Sequence, residues 1–276
     1  MTEQHAVRLG TVQETLLIPL YGRAVENRKE EPVLRDPRAE EIVDAIDYDF
    51  TRFDNLPSLL GTVLRTTLFD HWVADFLTRH PTGTVVEIGT GLNTRYERVD
   101  NGQARWFESD LPDVIELRRA FFDDTPRRTA IAASVTDRTW AETVAARSDG
   151  PYLFAAEAVL PFLPADEVRR VVDLIAETFP GSLLALDTAG TAIIGGQEQH
   201  DALSKVEARM QWACDDPAEI TAWRPGARLL TTCTLTTLPT PLHDRLPAAD
   251  REMLANLAGQ RLSQVEEYRL NLLQLP

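Results

Sequence analysis

From Thr84 to Leu186 the chain alternates short apolar runs with helical stretches, and no other feature constrains its fold as tightly. The runs are Thr84–Ile88 (TVVEI), Ala104–Glu108 (ARWFE), Arg128–Ala132 (RTAIA), Tyr152–Ala155 (YLFA) and Ser182–Leu186 (SLLAL). Their length and their β-branched, aromatic and apolar makeup suit strands buried on both faces. Between them, residues 113–122, 139–146 and 165–179 carry helical spacing. Strands separated by helices form a parallel sheet with helices on both faces.

On either side the pattern changes. Residues 12–80 read as helical. Asp36-Pro37 is a helix start ahead of Glu40–Ile46, and Val63, Leu64, Leu68, Trp72, Val73, Phe76 and Leu77 lay an apolar stripe on one helix face. Pro81-Thr82-Gly83 ends that helix. Residues 189–225 break the alternation and are expected to form a lid or substrate-binding insertion. Arg228–Leu238 reads as a strand, Ala248–Val265 as a helix, and Tyr268–Leu275 as a last strand lying antiparallel beside its predecessor. The expected organisation is a helical cap over 1–80 and an α/β core over 81–276 that carries the lid.

The first run leads into Gly89-Thr90-Gly91, where glycines let the backbone approach a ligand. The third glycine of the dinucleotide fingerprint is missing, since position 94 is Thr; this argues against a pyrophosphate and leaves a nucleoside without phosphates compatible. An ordinary strand-to-helix turn has the same sequence. Asp110 follows the second run, 19 residues after Gly91, where an acid accepts from both ribose hydroxyls; it is also placed to cap the next helix. Glu157 ends the fourth run, where open sheets place their ligands, although a structural ion pair there reads the same way.

Composition excludes some partners. The formal net charge of −15 repels phosphate backbones and anionic membrane surfaces. No apolar run is long enough to span a membrane, and Met1–Gly10 does not read as a secretory signal. Cys214 and Cys233 are isolated thiols, expected to be inert in a reducing, cytoplasmic compartment. No His/Asp/Glu cluster has metal-ligand spacing.

Taken together, Val86–Arg95 (VEIGTGLNTR), Trp106–Ile115 (WFESDLPDVI), Glu157–Leu163, the Phe179-Pro180-Gly181 turn, Leu186-Asp187, Pro19–Ala24 (PLYGRA) and Asp47–Phe50 resemble the leucine carboxyl methyltransferase superfamily. Within it they are similar to the bacterial O-methyltransferase branch around the tetracenomycin polyketide methyltransferase. The resemblance covers nearly the whole chain. It implies a Rossmann-like class I methyltransferase fold, with a mostly parallel seven-stranded sheet and an antiparallel last strand, and S-adenosylmethionine as methyl donor. It also implies roles: Arg65 grips the methionine carboxylate, Gly89 and Gly91 let the backbone approach the methionine end, Glu87 is a further cofactor-binding residue, Asp110 holds the ribose, Ser134 and Val135 contact the adenine, and Glu157 offsets the sulfonium charge. A bidentate arginine suits a carboxylate. Three positions depart from the family pattern. Ser134 stands where an aspartate is common, Phe162 where a tyrosine is common, and Asn93 where an aspartate is common.

Methyl transfer from a sulfonium is an in-line displacement that requires alignment and exclusion of water. A carboxylate acceptor, with a reference pKa of about 4, needs no base; a phenol, at about 10, does. Of His5, His71, His80, His200 and His243, only His200 falls in the expected lid. Carboxyl methylation is therefore favoured, on a small secondary metabolite such as a polyketide or modified peptide, with a phenol as the alternative. Candidates for substrate contact are His200, Arg95 and Phe162. Arg209 and Arg224 are further cations that would orient an acid, and Met210, Trp212 and Trp223 either cover a flat substrate or pack the insertion onto the core. Two other functions remain open at this point: a non-methylating S-adenosylmethionine-binding protein, and a nicotinamide-dependent oxidoreductase.

Overall fold

The computed structural model describes residues 5–7 and 9–276. Met1–Gln4 and Arg8, part of the segment discussed above for a secretory signal, lie outside the described residues. Seven strands form the main sheet: β1 (Thr84–Ile88), β2 (Arg105–Asp110), β3 (Arg128–Ala132), β4 (Tyr152–Ala156), β5 (Leu183–Ala189), β6 (Arg228–Cys233) and β7 (Tyr268–Gln274). Their order is β3-β2-β1-β4-β5-β7-β6. The first five are parallel, and β7 runs antiparallel between β5 and β6. Strand order reverses between β1 and β4, so the crevice outside their carboxyl ends is where this architecture places ligands.

The two sheet faces follow from alternation within each strand. Val86 and Ile88 point to one face, where they meet Phe107, Phe154, Leu184 and Leu186 under helices α6 (Arg138–Ala145) and α7 (Ala165–Thr178). Val85 points to the other, with Trp106, Leu153, Ala185, Leu270 and Leu272. That face is covered by α3 (Ser58–Arg79), whose stripe Leu64, Leu68, Phe69, Trp72, Val73, Phe76 and Leu77 is buried against it. A third cluster sits at the carboxyl edge. It is built by α1 (Leu17–Asn27), α2 (Pro37–Ala45) and Phe50, Phe53, Leu92 and Phe162, and Ala202, Leu203, Val206 and Ala208 of the insertion pack into it. Asp36 caps α2, accepting from the Ala39 N–H at 3.0 Å, with Pro37 in the first turn.

Of the element boundaries that differ from the sequence reading, three have a local cause. β5 continues to Ala189 because Asp187 and Thr188, polar and fully buried, stay in register with Leu270 and Arg269 of β7. β6 stops at Cys233, where Thr234 and Thr237 close a turn through their backbone and hydroxyl groups. The expected helix over 248–265 is two, Ala248–Gln260 and Ser263–Glu266, because Arg261 adopts a left-handed conformation with φ 48°. The described residues contain no helix long and apolar enough to cross a membrane.

Candidate functional site

The turn after β1 is built on positive φ, 61° at Gly89 and 51° at Gly91. A Cβ on Gly89 would lie 2.3 Å from Cγ2 of Val159, and one on Gly91 would lie 3.1 Å from Cβ of Leu16. Glycine is thus required twice over at 89, by backbone and by space. The turn opens onto a narrow crevice of about 60 Å³. Arg65, Glu87, Gly89, Gly91 and Glu157 line it, as do Leu16, Pro19 and Arg23 from the N-terminal region and Thr90, Leu92 and Asn93 from the turn. Thr90 Oγ1 is buried and has no hydrogen-bond partner among the described residues.

Beneath the crevice lies a buried ionic network. Arg95 of α4 (Arg95–Val99) donates Nε to Asp70 at 2.7 Å, Nη1 to both Glu87 oxygens at 2.7 and 2.6 Å, and Nη2 to Glu157 at 2.5 Å. Asp70 also takes Arg98 Nε at 2.6 Å, and Arg98 reaches Asp36 at 3.0 Å. Asp36 accepts from Arg23 Nε at 2.9 Å, while Arg23 Nη2 holds the Leu92 carbonyl at 2.8 Å. Arg65 donates Nε to Glu157 at 3.0 Å and Nη1 to the Tyr268 hydroxyl at 3.0 Å. Tyr268 in turn donates to Asp187, whose other oxygen takes the Ala158 N–H at 2.7 Å. Four arginines thus face five carboxyls.

Protonation in this network is set by competition between burial and neighbours. Burial drives the Glu157 carboxyl up, but Arg65 and Arg95, with the Thr66 hydroxyl at 2.7 Å, outweigh it and bring it down to about 2. At Glu87 and Asp187 burial wins, and both carboxyls sit above their ordinary range despite Arg95 and Arg65 respectively. Asp110, at the end of β2, accepts the Gly91 and Leu111 N–H groups at 2.7 Å each, one on each oxygen. Burial still raises its carboxyl to about 6 against those two donors. Asp110 thus braces the glycine turn and the residue before α5 (Pro112–Arg118), whose first turn has no side-chain cap among the described residues.

The remaining expected residues fall elsewhere. Asp110 stands beside the crevice but is not among its lining residues. Ser134 and Val135 follow β3; Ser134 bonds Thr136 at 2.9 Å, and the Val135 carbonyl accepts from Trp140 Nε1 at 2.9 Å. Arg95 is corrected as a substrate contact: it is 1% exposed and its guanidinium is committed to Asp70, Glu87 and Glu157. His200 is outside the crevice lining, and its Nδ1 accepts the Ala202 and Leu203 N–H groups at 3.2 Å each, so it caps a turn. Phe162 is buried in the third cluster. Arg209 is taken by Glu198, and Arg224 by Asp173 and Glu177. Trp212 and Trp223 lie 6.0 Å apart and pack onto the α6/α7 face, whereas Met210 packs against the third cluster. Burial pushes the Cys214 and Cys233 thiols up to about 12 and about 11, which makes both inert.

Sequence reasoning missed Arg23, Asp36, Asp70, Arg98, Asp187 and Tyr268 as parts of this arrangement. One signal was available. Thr62, Thr66 and Asp70 recur every fourth residue on α3, and with Arg65 they form a polar stripe beside the apolar one.

A sequence model of the leucine carboxyl methyltransferase family matches residues 17–176. The chain is 32% identical over 224 residues to the tetracenomycin polyketide synthesis O-methyltransferase TcmP of Streptomyces glaucescens, covering 80% of this chain and 82% of that one. It is 28% identical over 243 residues to the S-adenosyl-L-methionine-dependent methyltransferase dpfgK of Gibberella zeae, covering 80% and 82%. Among solved structures, a DUF574 family protein from Streptomyces avermitilis superposes with a TM-score of 0.58 at 16% identity, covering 94% of this chain and 97% of that one.

Proposed function

Since the chain belongs to the leucine carboxyl methyltransferase family and is an S-adenosylmethionine-dependent methyltransferase, we propose that it methylates a carboxylate oxygen of a small secondary metabolite or modified peptide. Membership of that family displaces the oxidoreductase and non-methylating readings.

The donor set fits the cofactor. Arg23 and Arg65 bring buried guanidinium groups to one crevice, as the methionine carboxylate requires. Glu157, ionised and partly facing the cleft, suits a cationic sulfonium and ammonium nearby. The Gly89–Gly91 turn admits a backbone-close ligand, and Thr90 Oγ1 supplies an unused buried polar atom. In this reading Asp110 holds the ribose, and Ser134 and Val135 the adenine. The bound cofactor supplies a methyl group already activated by its positive charge. The protein's part is to align the acceptor and exclude water. The segment ahead of α3 acts as the cap, since Leu16, Pro19 and Arg23 reach the crevice, whereas α3 itself belongs to the core; 189–225 act as the lid, since 202–208 pack on that cap. The inert thiols suit a cytoplasmic setting.

The observation that carries carboxyl over phenol methylation is the lining itself. It contains no histidine among the described residues; Glu157, held near 2 by two arginines, is too weak a base to deprotonate a phenol, and Glu87, though raised by burial, has both oxygens taken by Arg95. An acceptor that arrives ionised needs neither. One relative, the Streptomyces glaucescens enzyme, is by its name an O-methyltransferase of tetracenomycin polyketide synthesis. The test is a panel of polyketide carboxylic acids, phenols and amines incubated with S-adenosylmethionine, with products read by mass spectrometry. Alkali-labile methyl esters from the acids, with a rate flat between pH 7 and 9, are expected (range chosen about three units above a carboxylic pKa). Methylation confined to phenols or amines would overturn the carboxylate reading.

A further inference from the structure

We propose that Tyr268, backed by Asp187, is a positioning residue for Arg65, fixing its guanidinium for the amino-acid carboxylate of the cofactor; this rests on the assignment of Arg65 made above.

Topology brings these groups together. β7 is the antiparallel strand, so its first residue, not its last, lies at the carboxyl edge of the parallel strands: Tyr268 pairs with Ala189 at the end of β5. Asp187, two residues earlier on β5, points toward the same crevice edge and is fully buried. α3 delivers Arg65 from the other side, 203 residues away in sequence from Tyr268. A parallel strand in the position of β7 would have sent its first residue to the opposite end of the sheet.

The hydrogen bonds define what Tyr268 does. Arg65 has five N–H donors in a plane. Nε is spent on Glu157 and one N–H of Nη1 on the Tyr268 hydroxyl. Two bonds at separate corners fix both the position and the rotation of the plane. Among the described residues Nη2 has no hydrogen-bond partner, so the Nη1/Nη2 fork keeps free N–H groups for a bidentate carboxylate. The direction of the Tyr268 proton matters. A phenol that gives its proton to Asp187 offers Arg65 only a lone pair. Asp187 thereby orients Arg65 through a neutral hydroxyl, without becoming a direct counter-ion that would compete with the ligand's carboxylate.

This role predicts a ligand-dependent defect, which a general packing role does not. The test is calorimetric titration of the full-length wild type, Tyr268→Phe, Asp187→Asn and Arg65→Met, and of the Arg65→Met/Tyr268→Phe double variant. The two ligands are S-adenosylhomocysteine and 5′-methylthioadenosine, which shares the nucleoside and sulfur but lacks the amino-acid carboxylate. Y268F is expected to weaken S-adenosylhomocysteine binding about tenfold and leave 5′-methylthioadenosine within about twofold. D187N keeps the Ala158 bond through Oδ1 and turns its amide onto Tyr268, redirecting the hydroxyl proton toward Arg65, so it should show a loss of the same size for the same ligand. In the Arg65→Met background Y268F should add nothing. Equal weakening of both ligands, unchanged binding in Y268F, or an undiminished Y268F effect without Arg65 would overturn the proposal. A wild type that binds neither ligand would instead overturn the cofactor assignment on which it rests.

Discussion

At the scale of single residues, the glycine turn and Asp110 give the sharpest expectations. Gly89→Ala meets two penalties at once, a left-handed backbone and a methyl group 2.3 Å from Val159. Together they should cost about 2–4 kcal/mol of stability, read by urea denaturation, and abolish measurable S-adenosylhomocysteine binding. A variant with wild-type midpoint and affinity would show that the turn relaxes freely. Asp110 gives a pH dependence whose sign can be worked out. Burial raises its carboxyl from an ordinary value near 4 to about 6, so the folded protein holds this proton more tightly than the unfolded chain does. Its contribution to stability is full below about pH 4 and is lost as pH rises through about 6. Ligand binding runs the other way, because a ribose hydroxyl donates best to the ionised form. Cofactor affinity should therefore tighten between pH 5 and pH 7 (a window about one unit either side of that value), and Asp110→Asn should flatten the dependence; an equally steep profile in that variant would place the titrating group elsewhere.

At the scale of elements, α3 carries two functions on one helix. Its apolar stripe covers the sheet, and its polar stripe feeds the network. Asp70 accepts from Arg95, which is 1% exposed, and from Arg98, whose side chain is 8% exposed. Asp70→Leu would leave both guanidinium groups short of a counter-charge, and a buried ion pair broken on one side costs about 3–5 kcal/mol. Thermal melting should fall by roughly 6–20 °C at about 2–4 °C per kcal/mol for a chain of this size; a shift under about 2 °C would mean that water replaces the carboxylate. The same helix shows what could and could not be read in advance. The apolar stripe was legible because its period is the helix period, and β1, β2 and β4 were legible because buried parallel strands read as apolar runs. Asp187 and Thr188 hid the last turn of β5, since polar residues in a fully buried strand break that run. Arg95 read as a free cation because a sequence does not show that three carboxylates, from α3, β1 and the end of β4, converge on it. Tyr268 was visible only as the start of a strand. Its place in the site depends on β7 being antiparallel, and on β5 lying beside it.

At the scale of the whole molecule, the crevice is walled by parts that fold on different grounds. Its floor belongs to the sheet, whose two faces are sealed by α3 and by α6 and α7. Its cover comes from the N-terminal region. The short helix Gln13–Leu16 leads into α1, Leu16 sits over Gly91, and the Gly10 N–H and Gln13 Nε2 reach Asp113 at 3.2 and 3.4 Å. Few large apolar groups are committed there: Val12 is 43% exposed, and the described residues before Leu17 include none that is fully buried. The sheet core should not depend on such a segment, whereas a ligand lying on the glycine turn should. Deleting residues 1–16 is accordingly expected to lower the melting temperature by no more than about 4 °C, the equivalent of about 1–2 kcal/mol, because neither sheet face loses a side chain. S-adenosylhomocysteine affinity should fall by about tenfold or more, mainly through faster dissociation, since the cover is removed while the floor and its arginines remain. Stopped-flow displacement and calorimetry on the same truncated protein separate the two effects. A truncation that melts early and binds weakly would make the segment part of the core, and one that binds as the full chain does would leave the crevice open to solvent on that side without cost.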